Sequence, residues 1–240
     1  MSIWHQFLGN RFLAELSLWS ADLANLAEEL KRMDPYADLY HVDVADGHFA
    51  PQFLFFPDLV ARLHQLTSKP FHVHLMVDSS ILLNQIDQFI EVGADLVTIW
   101  YENGKIVPGA LNQIRNANVS AGLSLELETP PEAIIPFFDR IDLVTMMGTR
   151  VGVKGQDLSD QACSRMIAMR RLIEEHGYSG KIKLAADGGN RSHTVPELRA
   201  AGADTVVLGS LAYGSQNLTQ TFDWLRSLPG PQPQEVNLHS

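Results

Sequence analysis

The sequence alternates eight times between a strand-like and a helix-like hydrophobic pattern, and this alternation constrains the fold most. Strand-like apolar runs cover residues 12–18, 39–44, 71–77, 96–101, 120–127, 143–147, 182–186 and 205–208. Helix-like stretches lie near residues 21–33, 57–66, 81–92, 108–116, 131–138, 159–175, 194–200 and 218–228. Several strands are apolar almost throughout, as expected when both faces of a parallel sheet are buried. The pattern predicts eight consecutive strand–helix units.

The length of the chain agrees with a closed barrel. A (β/α)8 barrel typically takes about 250 residues, and this chain has 240. We therefore predict an α/β protein with a single (β/α)8 TIM barrel over residues 1–228, of which 1–11 are an N-terminal extension. Residues 229–240, rich in proline and polar residues, are predicted to be a flexible tail. The alternative is an open doubly wound sheet, but no Gly-x-Gly-x-x-Gly motif follows the first strand.

Charge and cysteine content restrict the partners and the compartment. The net charge of −10 argues against nucleic acid or an anionic membrane as a partner, because no basic excess is available to neutralise phosphates. A small phosphorylated ligand needs only a few local donors and stays possible. Cys163 is the only cysteine, so no intrachain disulfide can form. No apolar run approaches the ~20 residues of a membrane span, and residues 1–11 lack the pattern of a signal peptide. A cytoplasmic enzyme is expected.

The second strand carries a histidine and a carboxylate on one face. Side chains alternate along a strand, so His41 and Asp43 leave the same face, roughly 6–7 Å apart. Asp46 and Gly47 then end the strand, since glycine permits the backbone of a tight turn. The pair is either half of a metal site or a structural hydrogen-bonded pair. This segment alone leaves both interpretations open.

Two further strands direct polar side chains to the same end of the predicted barrel. The active sites of such barrels lie at the carboxyl ends of the strands. His74 lies near the end of the third strand, and Asp187 follows the seventh. Together with His41 and Asp43 they form a set that suits one divalent metal ion such as Zn, Fe, Mn or Co, and ligand type alone does not choose among these. His72, one layer below His74, is interpreted as a hydrogen-bonded interior histidine.

Glycines follow the last two strands, where these barrels commonly bind phosphate. Gly188 and Gly189 follow the seventh strand, and Gly209 and Ser210 follow the eighth. Glycine allows backbone N–H groups to approach phosphate oxygens closely. A single Gly-Gly pair more often marks a turn, but two such sites at these positions favour a phosphate-binding function.

Four motifs, in this order, resemble the ribulose-phosphate 3-epimerase family: His-Val-Asp-Val-Ala-Asp-Gly-His-Phe, Val-His-Leu-Met-Val, Ala-Asp-Gly-Gly and Leu-Gly-Ser. The resemblance extends from about residue 16 to about residue 213 and implies a ribulose-phosphate-binding barrel. It implies metal ligands at His41, Asp43, His74 and Asp187, with Asp43 and Asp187 as the acid–base pair. It also implies substrate or phosphate contacts at Ser17, Met76, Met147, Gly152, Gly155, Gln156, Gly188, Gly189, Gly209 and Ser210.

The resemblance further implies a metal-dependent epimerase that inverts carbon 3 of a ketose phosphate. The first substrate hypothesis is D-ribulose 5-phosphate to D-xylulose 5-phosphate, and the second is D-allulose 6-phosphate. Family members are often homo-oligomers, so a homo-oligomer is an expected assembly. An aldolase or decarboxylase would need a lysine at a strand end, whereas Lys183 stands at the start of its strand. A barrel that binds a sugar phosphate without catalysis is the remaining alternative.

The chain differs from the usual sequence of the family at positions around the expected substrate. Ala45 replaces a methionine, Gln52 an asparagine and Trp100 a histidine, and residues 126–130 read Glu-Leu-Glu-Thr-Pro. Lys154 replaces a glycine and is either an added phosphate contact or a solvated loop lysine. None of these changes removes a predicted metal ligand, so they concern the substrate more than the reaction.

Overall fold

Eight parallel strands close into a barrel in the computed structural model, which describes residues 2–7, 9 and 11–231. The strands are β1 (Leu13–Ser17), β2 (Leu39–Asp46), β4 (Phe71–Met76), β5 (Leu96–Trp100), β6 (Ser120–Leu125), β7 (Leu143–Met147), β8 (Lys183–Asp187) and β9 (Thr205–Leu208). A two-residue strand, β3 (Phe53–Leu54), pairs antiparallel with the end of β2. Because β1 pairs with both β2 and β9, the sheet has no open edge within the eight-strand ring. The predicted barrel is confirmed, and the open-sheet alternative is excluded.

Helices surround the barrel and connect its strands. The α-helices are α1 (Leu26–Met33), α2 (Pro57–His64), α3 (Leu82–Glu91), α4 (Val107–Asn116), α5 (Ala162–Glu175), α6 (Val195–Ala200), α7 (Ser210–Tyr213) and α8 (Leu218–Ser227). Short 3₁₀ helices cover Ile3–Gln6, Leu18–Ser20, Tyr101–Ile106 and Pro131–Phe137. Among the described residues, no helix combines the length and apolar character that crossing a membrane requires.

Three local differences from the predicted elements have identifiable causes. The first helix begins at Leu26 rather than near residue 21, because the Asp22 carboxylate accepts hydrogen bonds from Ala24 N–H and the Asn25 side chain. The stretch near 131–138 is a 3₁₀ helix that contains Pro136, which has no N–H to donate to a continuing α-helix. The short elements β3 and α7 were not predicted, since two to four residues carry no periodicity.

The core has an outer layer between barrel and helices and a small apolar plug at the amino ends of the strands. In the plug, Ile3 and Trp4 pack against buried residues of five strands, namely Leu13, Leu39, Leu96, Leu143 and Ala185. Trp4 Nε1 donates a hydrogen bond to the carbonyl of Asp142 at 2.7 Å. The described part of the predicted 1–11 extension therefore closes this end of the barrel. The predicted tail falls mainly on residues 232–240, which lie outside the described residues.

Parallel registry brings the predicted polar residues to the opposite, carboxyl end. Asp43 of β2 lies beside His74 of β4, and Met147 of β7 lies beside Asp187 of β8. Ser17 of β1 lies beside His41. β2 ends at Asp46, followed by Gly47 with a φ of 75°, as predicted for a tight turn.

Candidate active site

The structure brings His41, Asp43, His74 and Asp187 together at one point inside the barrel mouth. One nitrogen or oxygen atom from each side chain can be chosen so that all four lie within 4.8 Å of one another. His41 Nε2 lies 3.2 Å from Asp43 Oδ1 and 3.6 Å from Asp187 Oδ2, and His74 Nδ1 lies 3.5 Å from Asp187 Oδ2. Three of the four residues are buried and Asp187 is partly exposed. We refer to these four residues as the His–Asp cluster.

The unpaired nitrogen atoms of the His–Asp cluster fit a cation. His41 Nε2, His74 Nδ1 and His74 Nε2 are buried and form no hydrogen bond with any described residue. Buried polar atoms of folded proteins almost always have a partner, so these nitrogen atoms lack one in the protein itself. Two imidazoles and two carboxylates form a donor set that suits a divalent transition metal. The residues present therefore fit such an ion, and they do not distinguish Zn, Fe, Mn and Co.

Neighbouring groups lower the pKa of Asp43 and raise the pKa of His41, so both charged forms are favoured. Burial opposes the ionisation of Asp43, but His41, His74 and a hydrogen bond from Ser17 hold the pKa of its carboxyl below the ordinary value. Burial also opposes a charge on His41, yet Asp43, Glu15 and Asp187 raise the pKa of its imidazole well above the ordinary value. A positive charge at His41 Nε2 is thus favoured by its surroundings. A proton and a metal ion compete for this position.

Ser17 gives the two oxygen atoms of Asp43 different surroundings. Its hydroxyl donates a hydrogen bond to Asp43 Oδ2 at 2.8 Å, whereas Oδ1 faces His41. Ser17 is the last residue of β1 and is buried. The carboxylate of Asp43 is therefore held by both the cluster and the neighbouring strand.

A second buried polar layer lies directly beneath the cluster, and sequence reasoning did not predict its central residue, Glu15. Glu15 Oε2 lies 2.6 Å from His72 Nδ1 and 3.2 Å from His41 Nδ1, and Thr205 donates to Oε1 at 2.8 Å. His72 Nε2 lies 2.7 Å from the hydroxyl of Thr98. The interior, hydrogen-bonded role of His72 is confirmed. A signal existed for Glu15, because it is two residues before Ser17 and shares its face of the strand.

A cavity opens above the cluster and is lined by every residue that the resemblance placed near the substrate. Asp43 and Asp187 form part of its floor. The predicted residues in its wall are Ser17, Met76, Met147, Gly152, Gly155, Gln156, Gly188, Gly189, Gly209 and Ser210. The side chain of Gln156 donates to the carbonyls of Arg150 and Val153 and so folds back on its own loop. These residues share one cavity, while their roles remain predictions.

A glycine is required by close backbone packing at Gly189, after β8, and a serine side chain lies close to Gly209, after β9. Gly189 has a φ of 73°, and a Cβ there would lie 2.7 Å from Leu158 Cα. A Cβ on Gly209 would lie 2.5 Å from the hydroxyl oxygen of Ser20. A side chain is therefore excluded at Gly189, and the backbone of both glycines lines the cavity.

An apolar wall stands on the other side of the cluster. Met76 and Met147 pack with Ala45, Ala50 and Trp100 in a small buried cluster. Trp100, which replaces the usual histidine of the family, stacks on His74 with ring centroids 5.1 Å apart and planes 9° apart. The substitution thus keeps an aromatic ring in contact with His74, a predicted metal ligand, but replaces a titratable imidazole by an indole that does not titrate.

The carboxylate of Glu102 holds the loop after β6. It accepts hydrogen bonds from the backbone N–H of Glu126 and from the hydroxyl of Thr129. It thereby fixes the loop after β6 that carries the altered residues 126–130.

Lys183 forms an ion pair with Asp204 at 3.7 Å at the start of its strand, so it lies at the wrong end of the barrel for a catalytic lysine.

Three cationic side chains line the cavity, although the chain as a whole is acidic. They are Arg150, Lys154 and Arg191. Lys154 Nζ donates to the carbonyl of Trp19 at 2.6 Å and lies 5.3 Å from the centroid of its ring. Trp19 packs against the core and also lines the cavity. Lys154 thus lines the cavity and is also exposed to solvent.

Fold and site together define a class of protein: a (β/α)8 barrel with two histidines and two aspartates that could hold a metal ion, beneath a cavity at the carboxyl ends of the strands. Residues 14–213 match the model of the ribulose-phosphate 3 epimerase family. The ribulose-phosphate 3-epimerase of Bacillus subtilis (strain 168) is 31% identical over 211 residues, which cover 88% of this chain and 96% of the relative. That of Treponema pallidum (strain Nichols) is 35% identical over 195 residues, which cover 81% and 88% respectively.

Solved structures of other proteins share the barrel. Orotidine 5'-phosphate decarboxylase from Pyrococcus horikoshii OT3 superposes with a TM-score of 0.64 at 16% identity, covering 89% of this chain and 97% of that one. 3-Hexulose-6-phosphate synthase superposes with a TM-score of 0.65 at 17% identity, covering 91% and 99%. At these identities the likeness concerns the fold alone. The sequence matches decide the family: the chain belongs to the ribulose-phosphate 3-epimerase family, and it is an isomerase of the epimerase class.

Proposed function

We propose that this protein is a metal-dependent epimerase that inverts carbon 3 of a ketose phosphate, with D-ribulose 5-phosphate and D-xylulose 5-phosphate as its substrate pair. The observation that carries the proposal is the convergence of Asp43 and Asp187 on the two histidines, with donor atoms within 4.8 Å. The family match and the curated relatives named ribulose-phosphate 3-epimerase support it.

In this proposal His41, His74, Asp43 and Asp187 hold one divalent ion. When bound, such an ion acts as a Lewis acid that stabilises negative charge developing on the ketose oxygen atoms. The buried, unpaired nitrogen atoms of His41 and His74 support this assignment. Trp100 packs flat against His74 and restricts the orientation of its ring.

The two aspartates transfer the protons. One carboxylate accepts the carbon-3 proton, so the C–H bond breaks and its electron pair enters a planar enediolate. The other, protonated carboxyl donates its proton to the opposite face, forming a new C–H bond with inverted configuration. The reverse reaction exchanges the two roles. Positions on separate strands, β2 and β8, let the carboxylates address opposite faces without moving, and Ser17 fixes Asp43 by its hydrogen bond.

The residues of the cavity wall have two further roles, exclusion of water and binding of the phosphate. Met76 and Met147 form an apolar cover that limits access of water to the enediolate. The backbone around Gly188, Gly189, Gly209 and Ser210 holds the phosphate, supported by the loop with Gly152, Gly155 and Gln156.

A second cavity favours D-allulose 6-phosphate as an alternative substrate. It is lined by Glu126, Leu127 and Glu128 and shares Met147, Thr149, Arg150 and Val153 with the first cavity. Space beside the methionine wall would accommodate a longer ketose, and carboxylates accept hydrogen bonds from sugar hydroxyls.

A panel of five- and six-carbon ketose phosphates, followed by NMR, tests the proposed function. We expect inversion at carbon 3 of D-ribulose 5-phosphate, with any activity on D-allulose 6-phosphate weaker. Higher activity on D-allulose 6-phosphate than on D-ribulose 5-phosphate would identify the six-carbon ketose as the substrate. Ligand binding without turnover of any panel member, in protein loaded with each candidate metal, would support a non-catalytic sugar-phosphate-binding barrel instead.

Substitution of Lys154 separates its two interpretations. We expect Lys154→Met to raise KM for the phosphorylated substrate roughly fivefold with kcat little changed, because an exposed charge pair contributes up to about 1 kcal/mol. Steady-state kinetics at low ionic strength measure the effect. Lys181→Met is the matched control, since Lys181 also lies over an aromatic ring, that of Tyr178, but does not line this cavity. Equal KM values for all three proteins would identify Lys154 as a solvated loop residue.

A further inference from the structure

Glu15 is the centre of a fully buried hydrogen-bonded layer beneath the His–Asp cluster. Glu15, His41, His72, Thr98 and Thr205 all have 0% exposed surface. They come from five different strands, β1, β2, β4, β5 and β9. A carboxylate in such a position is costly unless every oxygen is well paired. Its partners therefore decide what the residue does.

The hydrogen-bond geometry determines where the protons of this layer lie. An ionised carboxylate only accepts hydrogen bonds, and the Oε2 atom of the buried Glu15 lies within hydrogen-bond distance of two imidazole nitrogen atoms, one from His41 and one from His72. Glu15 Oε2 must therefore receive protons from Nδ1 of both His41 and His72. Thr205 supplies a third donor to Oε1.

The same assignment satisfies the rest of the layer. With a proton on Nδ1, a neutral His72 accepts from the Thr98 hydroxyl at Nε2, 2.7 Å away. When a cation takes the place of the second proton, His41 keeps its proton on Nδ1 and carries its lone pair on Nε2, and this atom faces Asp43 and Asp187. One carboxylate thus orients two imidazoles, of which one belongs to the His–Asp cluster.

We infer that Glu15 is a positioning residue that fixes the ring and the Nδ1–H tautomer of His41, and thereby presents Nε2 to the divalent cation. The inference rests on the proposed function only in taking His41 as a metal ligand. His72 shares the oxygen of Glu15 that meets His41, whereas Thr205 donates to the other oxygen. A hydrogen bond from a ligating histidine to a carboxylate also makes the imidazole a stronger donor to the metal.

Glu15→Gln tests the inference with little change of shape. The neutral amide loses the negative charge of the carboxylate, so the hydrogen bonds from Nδ1 of His41 and His72 are no longer charge-assisted and are about half as strong. We expect affinity for Zn²⁺ to fall about 10- to 100-fold, the range for loss of such supporting partners. Competition with a chromophoric chelator at fixed pH measures it without any substrate. Thr205→Val is the matched control, because it removes one hydrogen bond from the same carboxylate without touching His41, and we expect a change of threefold or less.

A second readout keeps the inference testable even if Glu15→Gln does not fold. In ¹⁵N-labelled wild-type protein loaded with zinc, we expect a slowly exchanging proton on His41 Nδ1, and this proton should exchange faster in folded Glu15→Gln. Absence of the Nδ1 proton in the wild type would overturn the inference. So would unchanged zinc affinity in Glu15→Gln.

The two experiments distinguish this inference from the proposed function. If Glu15→Gln weakens zinc binding but no ketose phosphate is turned over, the positioning role stands and the proposed function fails. If turnover occurs and Glu15→Gln binds zinc normally, the reverse holds. A stoichiometry of two zinc ions that falls to one in Glu15→Gln would mean that Glu15, His41 and His72 bind an ion themselves, and would also overturn the inference.

Discussion

Replacement of Asp43 or Asp187 by asparagine should abolish exchange of the carbon-3 proton with deuterated water. Asparagine keeps the shape of the side chain but cannot accept and return a proton at neutral pH. Positioned acid–base groups contribute about 10²- to 10⁴-fold to rate, and each aspartate is also expected to hold the cation, so we expect losses of at least about 10³-fold. Incubation of the ketose phosphate with each variant in deuterated water, followed by ¹H NMR, measures exchange directly.

The control must separate loss of a proton-transfer group from loss of the metal. Asp160→Asn makes the same chemical change at an exposed position outside the cavity wall and should exchange at the wild-type rate. Metal content is measured for all three variants, and exchange is compared after saturation with the same divalent ion. Retained exchange in either Asp43→Asn or Asp187→Asn would reject the paired-carboxylate mechanism.

The fold was predictable because a parallel barrel leaves strong periodic signals. Strands buried on both faces are apolar runs, and each is followed by a stretch of helical period, so β7 (Leu143–Met147) and β9 (Thr205–Leu208) were predicted with their observed bounds. Once the barrel is assumed, the carboxyl ends of the strands must share one mouth. His41, Asp43, His74 and Asp187 therefore could be placed together from the sequence.

In the layer beneath them, His72 was predicted to be a hydrogen-bonded interior residue, but its pairing with Glu15 could not be predicted, because this pairing depends on the stagger between strands. Glu15 reaches His41 and His72 only through the register that aligns Ser17 with His41 and His41 with His72. A one-residue slip of β1 would turn Glu15 to the other face. Periodicity determines which face a residue occupies, but it does not determine the height of one strand against the next.

The cavity wall was predicted by resemblance rather than by periodicity. Met76 and Met147 were located by motif, and the structure places both in the cavity wall. The conformation of the loops could not be predicted. Neither the contact of Lys154 with Trp19 nor the folding of Gln156 back onto Arg150 has a local sequence signal. Such loops are fixed by contacts between distant segments, and these contacts have no period.

Removal of the divalent cation should lower carbon-3 proton exchange by about 10³-fold or more. The cation is expected to supply several kcal/mol of stabilisation to the developing negative charge, and each 1.36 kcal/mol changes the rate tenfold. Chelation followed by gel filtration gives the metal-free protein, whose metal content and exchange rate are then measured. Its thermal unfolding should still be cooperative, at a lower midpoint than the loaded protein, because a ligand that binds only the folded state stabilises it.

Restoration by different ions tests the donor set itself. Two imidazoles favour Zn²⁺, Mn²⁺, Fe²⁺ or Co²⁺ over the hard cations Ca²⁺ and Mg²⁺, which prefer ligands made wholly of oxygen. We therefore expect at least one of the four transition metals to restore exchange at one equivalent, while Ca²⁺ and Mg²⁺ do not. The buried, unpaired nitrogen atoms of His41 and His74 are the physical reason for this order. Full exchange in protein that holds less than about a tenth of an equivalent of metal would contradict a Lewis-acid role, and would leave the two carboxylates to carry the reaction alone.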